Sequence, residues 1–374
     1  MGLGEPRIAY FISPHGFGHA ARASGIMAAL QENHPSIHFE IFTKVPRWFF
    51  EESLDGPFVH HSLLTDVGMV QVTPLHEDLS RTLQSLDEFL PFNRSRIINL
   101  GKKVQKKRCE LILCDIAPMG IVVGKEAGIP SVLIENFTWD WIYEGYTSRE
   151  PRINEHIGYL REVFEGADYH VQAEPICNHS HVDLVALPVS RKCRTPGREI
   201  RQRLEVPEGC KLVMITMGGT PQHFTDLGYL SKHPDVFFII RVGKQPVHLR
   251  ENLLLLPYRS DFFHPDLINA CDAVIGKVGY STMAEVYRAG VPYGYITRPE
   301  FRESEVLVAY IEKHMRGLAM SEGQFQEGTW VDQLLDLLSL PRLRRKEPNG
   351  ADQIAQFVSS LLVAKKALGT QSSC

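Results

Sequence analysis

Residues 7–22 read Arg7-Ile8-Ala9-Tyr10-Phe11-Ile12-Ser13-Pro14-His15-Gly16-Phe17-Gly18-His19-Ala20-Ala21-Arg22. A β-like apolar run passes through a glycine turn into a helical pattern carrying Ile26, Met27 and Leu30 to about Gln31. A strand, a glycine turn and a helix start make a natural seat for a phosphate or a sugar, because unpaired backbone N–H groups and the positive end of the helix dipole point outward there. Two chemistries fit this turn. Gly16 to Ala21 matches G-x-G-x-x-A, the dinucleotide fingerprint. The same turn holds His15 and His19, which a pyrophosphate seat does not need and a general base does. The dinucleotide reading requires an acid about 20 residues on, at the end of the second strand, to bind a ribose. Here the second strand, expected over 37–42, runs out into Thr43-Lys44, and Glu40 lies inside it, pointing into a face of the sheet. A histidine at an x position also crowds the close approach that pyrophosphate requires. Base chemistry is therefore the reading that fits the turn better.

Outward from this stretch the chain alternates strand-like and helix-like segments. Apolar strands are expected over 58–63, 111–115 and 131–135. A mostly helical stretch, broken at Pro91, spans 78–107, and a helix spans 120–127. Near-continuous apolar strands separated by helices imply a parallel sheet covered on both faces. Residues 190–209 are basic and turn-rich, without an apolar period, and read as a linker. A second series follows, with strands over 212–217, 237–242, 252–256, 273–276 and 293–297, and helices over 281–289 and 305–314. Gly290-Val291-Pro292 is a stop signal for the first of these helices. In the tail, Ile354, Phe357, Val358, Leu361 and Leu362 share a helical face. The expected organisation is a Rossmann-like domain over 1–189, the linker, a second Rossmann-like domain over 210–348, and a terminal helix and tail over 349–374.

At 374 residues, 44% hydrophobic and 22% charged, the composition is that of a soluble globular protein. A formal net charge of -4 argues against a broad nucleic-acid footprint. The seven cysteines form no C-x-x-C pair. They read as reduced thiols of a cytoplasmic protein, with no zinc site or disulfide framework. The N-terminus lacks a signal-peptide pattern, and no apolar run reaches the ~20 residues that span a bilayer. Lys102 to Arg108 is strongly basic. It suits either docking on an anionic membrane, hence a peripheral location, or a solvated helix face. The aromatic run 137–143 suits either an acceptor wall, since rings stack on sugar faces, or core packing.

The whole pattern resembles the nucleotide-sugar-dependent glycosyltransferases of the GT-B fold, such as the GlcNAc transferase of peptidoglycan synthesis and the UDP-glycosyltransferases. It is carried by His15 to Arg22, by Met217 to Thr220, by Gly276 to Pro292 and by the tail Asn349 to Ala355. The His-Gly-Phe-Gly-His-Ala segment also resembles the transferase-like part of plant arabinokinases, with no kinase-like segment following within these residues. The resemblance implies two Rossmann-like domains facing each other across a cleft, and a terminal helix that crosses back to the first. It implies that His19 is the catalytic base and that Asp115 pairs with it. It places the diphosphate against the turn Gly218-Gly219-Thr220 and against Gly279, Ser281 and Thr282, and gives the ribose to Glu285. Gly16, Gly18 and Arg22 would line the turn, Arg22 binding either a phosphate or a surface acid. Lys277 stands where the family often has His, Ser or Arg, and can neutralise phosphate as a point charge. The family's acid–Gln or Gln–Gln pair for the donor sugar falls at Glu300 to Glu305, with Glu303 as the matching contact, and the departure there leaves the sugar open.

The chemistry implied is sugar transfer from a UDP-sugar, or another nucleoside-diphosphate sugar, to a hydroxyl acceptor. An imidazole suits proton abstraction at neutral pH, with Asp115 orienting the ring. No Asp-x-Asp pair is present to hold a divalent ion on a diphosphate, so helix N-termini, backbone amides and Lys277 are expected to stabilise the leaving group without a metal or resident cofactor. A base and a leaving group on opposite sides imply inversion. Two other readings stay open: a UDP-sugar epimerase of the same fold, and a non-catalytic nucleotide-sugar sensor.

Overall fold

The computed structural model describes residues 5–218, 227–242, 247–250 and 252–371. The chain divides into two compact units. One comprises residues 1–70, 78–191 and 348–374; the other comprises 71–77 and 192–347.

The first unit is built on a seven-stranded sheet: β1 (Arg7–Ile12), β2 (His38–Thr43), β3 (Phe58–Ser62), β4 (Leu111–Asp115), β5 (Ser131–Glu135), β6 (Tyr169–Ala173) and β7 (Leu184–Ala186). The order is β3-β2-β1-β4-β5-β6-β7, and every pairing is parallel. Strands β4 and β5 are buried throughout, as their unbroken apolar sequences require of strands covered on both faces. The register sets Ile12 opposite Asp115, so the glycine turn leaves β1 beside the carboxylate that ends β4. Helix Gly18–Asn33 then buries Ala20, Ala23, Ile26, Met27 and Leu30. The terminal helix Gly350–Gln371 packs against it, burying Ile354, Val358 and Leu362, and so belongs to the first unit as the fold class implies. Its first residue must be glycine: a Cβ on Gly350 would lie 1.8 Å from the Leu187 carbonyl oxygen.

The second unit has β8 (Lys211–Thr216), β9 (Val236–Arg241), β10 (Val247–Arg250), β11 (Leu253–Leu256), β12 (Ala273–Lys277), β13 (Tyr293–Ile296) and β14 (Gly317–Met320). Their order is β10-β11-β9-β8-β12-β13-β14, parallel except for the edge strand β10. A short hairpin, Gln71–Thr73 paired with His76–Glu77, joins this unit although it lies in the first half of the sequence. Leu75 at its tip enters a core with Val213, Ile215, Phe238 and Trp330. Within the stretch read as a linker, Gly197–Arg203 forms a helix. Arg201 fixes it by donating to the Ala270 carbonyl at 2.9 Å and pairing with Asp272.

Glu40 shows why β2 carries no ribose ligand. It is fully buried and pairs with Arg7 Nη1 at 3.2 Å, His61 Nε2 at 2.6 Å and Lys107 Nζ at 3.3 Å. Lys103 donates to the other nitrogen of His61 at 2.9 Å. Part of the basic run 102–108 thus faces into this cluster, while Lys102, Lys106 and Arg108 are exposed. Burial would raise the Glu40 carboxyl, but hydrogen bonds from His61 and Lys107 and the lysine charge hold it below its ordinary value. Burial lowers both His61 and His38. All three groups bind fewer protons folded than unfolded, so their contribution is present above the unfolded values and is lost as pH falls through the folded ones. The melting temperature is expected to drop as pH falls from about 7 through the histidine range and then the carboxylate range. His61→Gln should flatten the upper part of that fall. Scanning calorimetry of both proteins measures it, and an unchanged profile in the variant would count against this cluster as the cause.

Candidate active site

In the first sheet the order of connection reverses between β1 and β4, and ligands of open α/β sheets bind beyond the strand ends at such a reversal. His19 and Arg22 lie there, one helical turn apart and on one face. Asp115, the last residue of β4, is completely buried beneath them. Its Oδ1 is 3.0 Å from His19 Nδ1 and 2.6 Å from Arg22 Nη2, and its Oδ2 accepts from Arg22 Nε at 2.8 Å. Arg22 Nη1 donates to Asn136 Oδ1 at 2.7 Å, just past the end of β5. Four side chains, two from helix Gly18–Asn33, one from the end of β4 and one just past β5, therefore form one network. Ile116, directly after Asp115, adopts φ +39, strained for a β-branched residue and a sign that the surrounding structure holds the carboxylate in place.

The electrostatics follow from the geometry. Burial pushes the Asp115 carboxyl up, but the Arg22 charge and hydrogen bonds, with help from His19, hold it below its usual value. An ionised carboxylate only accepts hydrogen bonds, so Nδ1 of His19 carries the proton and donates it to Asp115. In the neutral ring the lone pair then lies on Nε2.

Around His19 stand His15, Phe137 and Trp139, with ring centroids at 6.4, 6.1 and 6.2 Å. The His15 Nδ1 accepts from the Met69 N–H at 3.3 Å. Asp66 is also buried here; it accepts from Ser13 Oγ at 3.0 Å and from Trp139 Nε1 at 3.3 Å. Burial outweighs these bonds and raises it to about 8. Gly16 has φ +72 and open space around its α-carbon, and Gly18 opens the helix.

Two expectations change at this point. Arg22 was read as a ligand for phosphate or a surface acid. It is instead 1% exposed, with its guanidinium bonded to Asp115 and Asn136, because a buried carboxylate needs a cation within the fold. The aromatic run 137–143 does not form an open wall: Phe137, Trp139, Trp141 and Tyr143 are all buried core residues.

In the second unit the order reverses between β8 and β12. Gly218 follows β8 in the left-handed region at φ +74, and a Cβ there would meet Lys277 Cε at 3.3 Å. Gly219 and Thr220 lie outside the described residues. Lys277 ends β12 and donates from Nζ to the Pro74 carbonyl of the hairpin at 3.1 Å. Burial, reinforced by the Arg298 charge and opposed by Glu77 and Glu303, lowers Lys277 to about 7. Arg298 pairs with Glu77 and lies 4.0 Å over the Phe301 ring. Glu303 is buried at the start of helix Glu303–His314. Gly279 is the extended N-cap of helix Tyr280–Ala289; Ser281 and Thr282 lie in its first turn, and Glu285 is buried one turn further on. His264 Nδ1 is 2.7 Å from Glu285 Oε2.

Sequence reasoning missed Asn136, Asp66, His264, Arg298 and Glu77. Asn136 had a signal, since it directly follows the apolar strand β5. The others are brought in by tertiary packing. Among the described residues no group of three His, Cys, Asp or Glu is arranged to hold a metal ion. None of the described helices is long and apolar enough to cross a membrane.

No protein-family model matches the chain. L-arabinokinase of Arabidopsis thaliana is 25% identical over 362 residues, which is 96% of this chain and 34% of that protein. The chain thus spans about a third of the curated relative it matches. Among solved structures, spinosyn forosaminyltransferase SpnP gives a TM-score of 0.62 at 16% identity, covering 96% of this chain and 99% of that one. The glycotransferase of kitacinnamycin gives 0.61 at 15% identity, covering 95% and 99%. UGT89C1 of Arabidopsis thaliana complexed with UDP gives 0.57 at 10% identity, covering 94% of each chain. These likenesses are of fold, and the fold is GT-B.

Proposed function

We propose that the chain is a glycosyltransferase that moves a sugar from a UDP-sugar, or another nucleoside-diphosphate sugar, to an acceptor hydroxyl, with inversion, without a metal, and with His19 as general base. The observation that carries this reading is the His19–Asp115 hydrogen bond at the β1/β4 reversal. In this reading Asp115, kept ionised by Arg22, fixes the imidazole tautomer, and Nε2 takes the acceptor proton. The hydroxyl oxygen attacks the anomeric carbon as the bond to the diphosphate breaks, and the electron pair leaves on the phosphate oxygen. One displacement inverts the centre. In the second unit, Gly218 with the neighbouring Gly219 and Thr220, the helix start at Gly279, Ser281 and Thr282, and Lys277 would hold the diphosphate. Glu285 would hold the ribose, and Glu303 would lie toward the donor sugar.

The direct test incubates a panel of UDP-, dTDP- and GDP-sugars with mixed hydroxyl acceptors in EDTA. Expected are nucleotide release and a product of opposite anomeric configuration. Conversion of a donor to its epimer without acceptor would instead make the chain an epimerase. Nucleotide binding with neither transfer nor hydrolysis would make it a sensor. A thermal shift with NAD or NADP alone would restore the dinucleotide reading.

A pH dependence follows from Lys277. A lysine brought to about 7 is charged below that pH and neutral above it. Only the charged form balances phosphate, so UDP affinity is expected to weaken as pH rises from 6 to 8.5, with proton uptake on binding. Lys277→Met should bind more weakly and with a flat profile. Calorimetry in buffers of different ionisation heat measures both, and a flat wild-type profile would remove Lys277 from the phosphate site.

A further inference from the structure

We infer that His264 is a positioning residue for Glu285, locking its carboxylate to read the ribose hydroxyls, so that the second unit takes ribonucleoside diphosphates and rejects their 2′-deoxy counterparts. The inference rests on the reading of Glu285 as the ribose ligand and adds what holds it and what it selects.

Glu285 is 4% exposed, on helix Tyr280–Ala289 one turn beyond the diphosphate-facing helix start. A carboxylate buried there needs a donor. His264 supplies it from a different element, the first residue of helix His264–Ala270, at a charge-assisted distance of 2.7 Å to Oε2.

The segment presenting His264 is itself pinned. Pro265 follows it in the first turn. The Arg194 backbone N–H donates to Asp266 Oδ1 at 2.7 Å. The Cys193 thiol approaches the Pro265 carbonyl at 3.4 Å, and the Arg194 guanidinium lies 4.9 Å over the Phe263 ring. A ring seated on both flanks fixes the carboxylate's orientation before any ligand arrives. That preorganisation separates a selective acceptor from a mobile surface acid.

An ionised carboxylate accepts through about four lone-pair sites and donates nothing. Beyond its contacts within the protein, what it recognises is hydroxyl donors, and a ribose offers two on adjacent carbons. A 2′-deoxy nucleotide removes one and strands part of a buried charge. Sites built to bond a substrate hydroxyl reject the analogue lacking it by about 10⁴–10⁵ where the group is fully enclosed. The loss of one hydrogen bond to a charged group sets the expectation at about a hundredfold.

The test measures dissociation constants for UDP and 2′-deoxy-UDP by calorimetry, with GDP and 2′-deoxy-GDP in parallel so that the result does not hang on the base. The proteins are wild type, His264→Ala, His264→Gln and Glu285→Ala. Wild type should prefer the ribonucleotide by about a hundredfold. His264→Ala should bring the ratio below about tenfold and lower the melting temperature, since the buried carboxylate loses this donor. His264→Gln, whose amide can donate to Glu285, should restore most of it. Glu285→Ala should abolish the preference. A ratio unchanged in His264→Ala but lost in Glu285→Ala would overturn the role of His264 and leave the ribose reading standing. A ratio unchanged in Glu285→Ala, or no preference in wild type, would overturn the ribose reading and this inference with it.

Discussion

Replacing His19 with alanine is expected to lower sugar transfer by about two to four orders of magnitude while leaving nucleotide affinity within about twofold. The imidazole is held by a buried carboxylate through Nδ1, so the change removes a proton acceptor already oriented for its task. His19 belongs to the first unit and the proposed nucleotide ligands belong to the second, so binding and turnover should separate. In kinetic terms kcat falls and the dissociation constant of UDP does not, the signature of an interaction made in the transition state. His19→Gln should be equally inactive, because an amide matches the ring's hydrogen bond but cannot take a proton at neutral pH. Stopped assays of product formation with calorimetric UDP binding measure both quantities. Normal turnover in either variant would end the general-base assignment.

Arg22→Met is expected to give a large loss of stability in the first unit. The methionine keeps much of the side-chain volume and removes the cation. Asp115 then remains fully buried with His19 as its only partner from that pair. Leaving one partner of a buried ion pair uncompensated costs about 3–5 kcal/mol. For a unit of this size that is a fall of about 10 °C in melting temperature. The pH dependence gives a second check. In the wild type Arg22 keeps the Asp115 carboxyl below its unfolded value, so the stability it contributes is present above about pH 4 and fades as pH falls through the folded value. In Arg22→Met the carboxyl is raised instead. The gap between the two proteins should therefore shrink in acid. A melting temperature unchanged at pH 7 would show that Arg22 is not what compensates Asp115. Activity should fall as well, because a carboxyl that protonates no longer dictates the His19 tautomer.

Much of this was legible along the chain. The strands that carry the site, β1, β4, β5, β8 and β12, are apolar runs buried on both faces, and burial of that kind writes itself into consecutive residues. The helix starts at Gly18 and Gly279 were marked by glycine, and the stop at Gly290 by Gly then Pro, where the backbone takes a left-handed φ of +68. The strands that were missed are short and lie toward sheet edges. Leu184–Ala186, Val247–Arg250 and Gly317–Met320 lack the long apolar run, because an edge strand has neighbours on one side and water on the other; Tyr169–Ala173, paired on both sides, alternates apolar and polar residues instead. The hairpin 71–77 was invisible for another reason. Leu75 is one apolar residue among polar ones, and its core is made of residues more than 130 positions later in the chain.

That His19 pairs with an acid was implied by the family resemblance; the sequence by itself determined the two α/β series, the glycine turns that end their leading strands, and the acid at the end of β4. Those depend on local patterns: the periodicity of burial, the φ a glycine permits, and the position of a polar residue where an apolar run stops. Only the tertiary structure decided what each charged group answers to. Arg22 could reach solvent, phosphate or an acid by its position on the helix; packing turned it inward onto Asp115. Glu40 could serve a ribose; Arg7, His61 and Lys107 hold it in the sheet instead. The aromatic run 137–143 could face a sugar, and burial made it core. A charge or a ring carries no direction in one dimension. It acquires one only when folding removes water from around it and leaves the nearest group of opposite sign, or of like polarity, as its partner.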